Sequence, residues 1–280
     1  MGATDTEQAG RLPRSIAIWG DEPQKIRLPE EPFDPNGAWS QAYSVYILGP
    51  LHDKGWRGAF RSAGALRLER APRDDGGFDQ TGRRVEQMIS KTWLATAWEA
   101  TYDGDALAAP RAWAFSSDLL SGGAPVDADF RYLDIAQQGY AERALPMADA
   151  KYAFSGRREP EAIVNEGAAA RPVAPGEAIA ANWGLFDAVQ RLDADLAEPL
   201  SFAVLEDFDL YKPGHTLRSA GSLSVTFANG PVQLHCFRQI GRGILPYEYW
   251  VTDAGRLVFA VGGYQGYVLN PDEPIGEMLS

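Results

Sequence analysis

His235 sits in the run Val232-Gln233-Leu234-His235-Cys236-Phe237-Arg238-Gln239, and Glu248-Tyr249-Trp250 falls on the next extended segment. An imidazole titrates near neutral pH, so a lightly buried histidine oriented by a carboxylate is a group that can pass protons. The pattern predicts acid–base chemistry through His235, with Glu248 or Tyr249 as its partner and a cation such as Arg238 or Lys91 beside them. Because strand side chains alternate between two faces, the odd–even split places His235, Glu248, Glu99, Lys91, Trp93 and Trp250 on one surface. Gln233, Phe237 and Gln239 share the parity of His235 and extend that surface.

Aromatic planes next to carboxylates, amides and cations suit a sugar, whose ring faces stack on indoles and phenols while its hydroxyls take hydrogen bonds. The expected function is therefore carbohydrate-directed: a lyase or hydrolase acting on a glycoside or polysaccharide in an aromatic-lined groove. Trp93, Trp250, Glu99, Gln233, Phe237 and Gln239 are the expected substrate contacts. A second reading is a non-catalytic, lipocalin-like carrier, with an apolar small molecule in a cavity lined by Trp98, Tyr102 and Phe259. A third is a structural module of an envelope assembly, with a large exposed apolar patch and no pocket. The same alternation also suits the solvated face of any antiparallel sheet.

Other candidates are weaker. His52 and His215 complete the set of histidines, too few and too scattered for a multi-histidine metal centre, so no metal is expected. Asp103/Asp105, Asp127/Asp129, Asp193/Asp195 and Glu206/Asp207/Asp209 are carboxylate pairs of the kind glycosidases use, but that chemistry depends on a separation in space. No phosphate-cradling loop, dinucleotide fingerprint or nucleophile elbow occurs, and no cofactor is expected.

With 280 residues, 45% hydrophobic and 11% aromatic, the chain can bury a substantial core. Its formal charge of -12 disfavours nucleic acid and anionic lipid, which leaves a neutral small molecule or glycan as the expected partner. The single cysteine, Cys236, rules out an internal disulfide and reads as a small buried hydrophobe. No segment reaches the roughly 20 apolar residues of a membrane span. Met1-Gly2-Ala3-Thr4-Asp5 resembles the start left when an export signal is trimmed, so a periplasmic or secreted location is expected, with a cytoplasmic one as the alternative.

The elements that must position these residues are mainly strands. Prolines 13, 23, 29, 32 and 35 make residues 1–40 an arm without helix, lying outside the domain. Residues 41–280 are expected to form one antiparallel β domain. Trp39–Ile47 reads as its first strand, followed by alternating runs at Trp56–Glu69 and Arg83–Tyr102 around the Asp74-Asp75-Gly76-Gly77 turn. Residues 121–175 read as a long excursion. Ile179, Trp183, Phe186, Val189 and Leu192 recur at helical spacing, which predicts an amphipathic helix near 177–192. A meander follows, from Phe202–Leu210 to Tyr264–Leu269, punctuated by Asn229-Gly230-Pro231, Gly241-Arg242-Gly243 and Asp253-Ala254-Gly255. Arg-Ser-Ala-Gly at 61–64 and again at 218–221 is a short repeat of the size chance produces. The expected fold is a large curved antiparallel sheet or a barrel-like β-sandwich, with the helix packed against it.

Overall fold

The computed structural model describes residues 13–48, 60–87, 93–120, 150–242, 244–263 and 265–270. Among these residues it is a mainly β protein with one large sheet of fifteen strands. The first half runs through β1 (Trp39–Leu48), β2 (Phe60–Pro72), β3 (Phe78–Gln87), β4 (Trp93–Tyr102), β5 (Pro110–Leu120), β6 (Ala150–Glu159), β7 (Ala162–Asn165) and β8 (Arg171–Pro172). The second runs through β9 (Ile179–Ala181), β10 (Leu200–Glu206), β11 (Leu210–Phe227), β12 (Gly230–Ile240), β13 (Tyr247–Thr252), β14 (Leu257–Gly262) and β15 (Gln265–Leu269). Each half is a meander, and the halves join where β1 pairs with β15, so β8 and β9 are the two ends of the sheet. All neighbours are antiparallel except β9 and β10.

The sheet curls until β9 lies against β5, which makes it barrel-like, and β6 to β8 continue past that point. Side chains rather than ladder hydrogen bonds tie the overlap. Asn165 on β7 donates its amide to the Phe208 carbonyl at 3.1 Å, and Arg171 on β8 donates to the Asp209 carbonyl at 2.6 Å. Trp113 on β5 donates to the Asn165 side-chain oxygen at 3.1 Å and stacks on Phe208 with ring centroids 5.6 Å apart. Phe208 reaches that position from a turn in which Asp207 and Phe208 take φ of 47° and 59°. A left-handed conformation costs a non-glycine residue about 1–2 kcal/mol, here offset by the buried ring.

A curl of this size needs a filling, and α2 (Asn182–Arg191) provides it. Trp183 through Gln190 are all buried, so the helix runs inside the sheet instead of lying across one face. Trp183 stacks on Trp98 of β4 at 4.4 Å, and Phe186 meets Tyr43, Tyr249 and Tyr267 edge-on at 5.3–5.9 Å. Polar groups on a helix so enclosed must find partners within the protein. Asp187, fully buried, lies 2.7 Å from Arg70 of β2 and 2.6 Å from Arg191 one turn on. Gln190 accepts from Gln41 at 2.9 Å and from the Leu257 amide at 3.0 Å.

Glycines opposite large rings give the inner wall its shape. Gly82 faces Trp98, Gly156 faces Trp113 and Gly262 faces Tyr247 across paired strands. A Cβ on them would sit 2.0, 2.5 and 1.8 Å from those rings, so each aromatic lies flat over backbone that only glycine leaves open.

The outer face of β12 to β15 is covered by the N-terminal arm, and the arm does contain helical turns, α1 (Arg14–Ala17) and a 3-10 turn at Glu22–Lys25. Pro13 stands just ahead of α1 and accepts from Ile16 and Ala17 through its carbonyl, so proline begins the turn instead of breaking it. Trp19 is buried between Tyr46 and Phe259, at 5.3 and 5.6 Å. The helix expected from 177 starts at Asn182, because Ile179–Ala181 pair in parallel with Ala203–Leu205 of β10. The run expected from 83 to 102 is divided between β3 and β4, which fold back so that Gln87 opposes Trp93.

Removing the carboxylate inside the curl leaves two buried guanidinium groups without their counter-charge. Asp187→Ala should lower unfolding free energy by about 3–5 kcal/mol, read as a drop in denaturant midpoint at unchanged slope.

Candidate functional site

The filling is incomplete at one end. Because α2 begins level with the turn after β10, the strands rise beyond its first residues and enclose a cavity of about 330 Å³. Trp183 and Phe186 of α2 line it from the helix, Tyr247, Tyr249 and Tyr267 line it from the sheet, and Arg84, His215, Gln239 and Gln265 supply polar groups. Register explains the grouping, since Gln239 and Tyr247 are directly opposite on β12 and β13. Tyr247 lies on Gly262 and stacks on Tyr249 at 4.8 Å.

Two chains of hydrogen bonds hold the polar groups. In one, the Tyr249 hydroxyl donates to Gln239 Oε1 at 3.0 Å and Gln239 Nε2 donates to His215 Nδ1 at 3.0 Å. That assigns the imidazole proton to Nε2, which is buried with no partner among the described residues. In the other, the Tyr267 hydroxyl donates to Gln265 Oε1 at 3.1 Å and Gln265 Nε2 donates to Glu86 at 2.7 Å. Arg84 reaches the Tyr267 oxygen at 3.4 Å. Burial pushes the Tyr267 phenol up to about 12 and raises Tyr247 and Tyr249 as well, so all are neutral at pH 7. Burial, helped by nearby Lys212, lowers His215 below its ordinary value and keeps it uncharged, against a smaller opposing pull from Glu206.

The residues singled out from the sequence divide differently. Across β12 and β13, Arg238 opposes Glu248 and Cys236 opposes Trp250, whereas His235 opposes Val251 and Phe237 opposes Tyr249. Directly opposed residues share a face, so His235 and Glu248 stand on opposite faces and the expected common surface does not form. Alternation holds within β12 and within β13, but the relative phase of the two strands is set by pairing and is shifted by one. Glu248 holds Arg238 at 2.7 Å and accepts from Ser15 of the arm, whose hydroxyl also accepts from Trp250 at 3.1 Å. Those groups serve to dock the arm. His235 pairs with the exposed Asp253 at 2.6 Å, at the end of the curl away from the cavity.

Gln233 shares the His235 side of β12, and Phe237 is buried in the inner core. Glu99 is exposed on the outer face, at a broad groove of about 1110 Å³ over β2 to β6, and Trp93, on the same side of β4, is buried. Lys91 lies outside the described residues. Of the expected set, only Tyr249 and Gln239 reach the cavity. The apolar cavity expected from Trp98, Tyr102 and Phe259 is not formed: Trp98 stacks on α2, Tyr102 packs on Phe78, and Phe259 lies on the opposite face under Trp19. Arg84, Trp183, His215, Tyr247 and Tyr267 were missed as a group. Their only sequence signal is the glycine that faces a ring, as at Gly262 and Tyr247, and it is visible only once strands are paired.

No family model matches the chain, and no curated protein matches it. Among solved structures it is similar to a β-barrel-like protein of a domain of unknown function, DUF1849, from Brucella abortus, at 10% identity and a TM-score of 0.48, over 87% of this chain and 97% of that one.

Two measurements check this arrangement. His235→Ala removes a surface hydrogen bond to Asp253 and should change stability by less than about 1 kcal/mol, with no effect on anything bound in the cavity. For His215 the folded-state value is depressed, so the unfolded chain binds its proton first on acidification. Its contribution is fully present above about pH 6.5 and is lost as pH falls below that value. The denaturation midpoint of the wild type should therefore fall more steeply between about pH 7 and pH 5.5 than that of His215→Gln.

Proposed function

We propose that this protein is a non-catalytic binding module that holds a compact small molecule with a flat ring face and several polar groups, a ligand of sugar size, in the cavity at the start of α2. The observation that carries this reading is the pre-set geometry of the cavity. Tyr247 stacks on Tyr249 while Trp183, Phe186 and Tyr267 meet one another edge-on or tilted, and the cavity's amide and phenol groups are oriented by mutual hydrogen bonds before anything binds. A volume near 330 Å³ lies at the small end of the range for ligand pockets, about 300–1,000 Å³. The imidazole at the cavity is oriented by an amide instead of a carboxylate, which favours binding over hydrolase or lyase chemistry.

A carrier of an extended apolar ligand is the second reading. It is favoured by the exposed Leu210, Ile240 and Leu245, which stand at the same end as the cavity, and disfavoured by α2, which occupies the interior such a ligand would use.

Titration of the full chain with a panel of monosaccharides, followed by tryptophan emission and by calorimetry, tests the proposal. Binding should quench or shift the emission of Trp183, and Gly262→Ala, which forces the Tyr247 ring from its bed, should weaken affinity by about tenfold. No heat and no spectral change with any sugar would overturn it.

A further inference from the structure

We infer that the ligand of this cavity carries a carboxylate, received by Arg84, so that an acidic sugar of the uronic type is preferred over its neutral counterpart; this rests on the binding reading above. The ground is a contrast between two buried arginines on the inner face of the same sheet. Arg70 is 6% exposed and held at three points: the Asp187 carboxylate lies 2.7 Å from its Nε, an ion pair without hydrogen-bond geometry, and the Asn36 and Gly37 carbonyls accept from its Nη1 at 2.5 and 2.7 Å. Arg84 is 7% exposed, yet among the described residues its only hydrogen bond is the 3.4 Å contact to the Tyr267 oxygen.

A guanidinium offers five N–H donors in a planar fork. On Arg84 the Nε–H has no partner among the described residues, and the carboxylate paired with it, Glu86, stands 3.6 Å away with its other oxygen held by Gln265 at 2.7 Å. Two further acidic groups stand at the cavity, and one of them, Asp207, acts on Arg84 through its charge without a hydrogen bond to it among the described residues. Glu206 pairs with Lys212, and Asp207 accepts from the Trp183 indole at 2.9 Å and the Asn182 amide at 3.3 Å.

The surroundings of Arg84 favour an anion. Its guanidinium lies 5.1 Å from the Trp183 ring, so a carboxylate in the fork would bring an attached sugar ring over the aromatic lining. The positive end of α2 opens at the same cavity with no side-chain cap, and the free Nε2–H of the buried His215 is a further donor there. Bidentate arginine–carboxylate contacts are the strong, directional member of this class of interaction.

The experiment is calorimetry of the full chain with glucuronate, glucose and glucuronate methyl ester, on wild type and on Arg84→Gln. Glucuronate should bind at least about tenfold tighter than glucose or the ester, and Arg84→Gln should bring the three together. If glucose or the ester binds as tightly as glucuronate, the carboxylate inference is overturned while the cavity reading stands. If none binds, both fall. Should Arg84→Gln fail to fold, the ester against the free acid on wild type still decides, because the two share one ring and differ in the charge.

Discussion

The structure depends on one constraint: a long antiparallel sheet that curls on itself must have its interior filled. Here the filling is a helix, and a helix brings polar atoms with it. Asp187 sits at the middle of α2 with no access to solvent, and it can remain there because Arg70 approaches from the sheet and Arg191 from the next turn. Arg70 is in turn held by carbonyls of the segment leading into β1, so the ionic centre ties together helix, wall and arm. Around it the aromatic residues pack edge-on and stacked, an arrangement that sets their orientations as well as burying area.

The cavity is a consequence of where that filling stops. Strand β9 pairs with β10 and delivers the chain into α2 only at Asn182, level with the turn after β10. Strands β11 to β15 continue above it, and the space they enclose inherits the tyrosines and glutamines of their inner faces. Glycine at 262 lets Tyr247 lie flat there, and the close approach of Gly241 to the His215 ring sets the imidazole against the wall. The polar groups lining the space are fixed by one another, and among the described residues Arg84 and His215 keep donors to spare.

The opposite face of the same strands does different work. Trp250, Glu248, Arg238 and Cys236 all contribute to the surface on which residues 13–28 lie, with Ser15 and Trp19 as the points of attachment. Residues that resemble a catalytic set in the sequence are thus shared between an internal wall and an external dock. Among strands that are polar and aromatic on both faces, composition does not say which face is the solvated one, since both are covered here.

What the sequence determined by itself is what local physics controls. Alternation announced the strands, the Asp-Asp-Gly-Gly, Asn-Gly-Pro and Asp-Ala-Gly turns announced the meander, and the spacing of Trp183, Phe186 and Val189 announced helix α2, each through interactions between residues close along the chain. Tertiary structure decided the phase between neighbouring strands, the curl that puts the helix inside, and the meeting of Arg84, Trp183, His215, Gln239 and Tyr267 at one cavity. A strand's period of two fixes which residues share a side but leaves open which side faces the neighbour's, and a shift of one residue exchanges the faces. His235 and Glu248 were separated by that single step, and only the hydrogen-bonded register between β12 and β13 contains it.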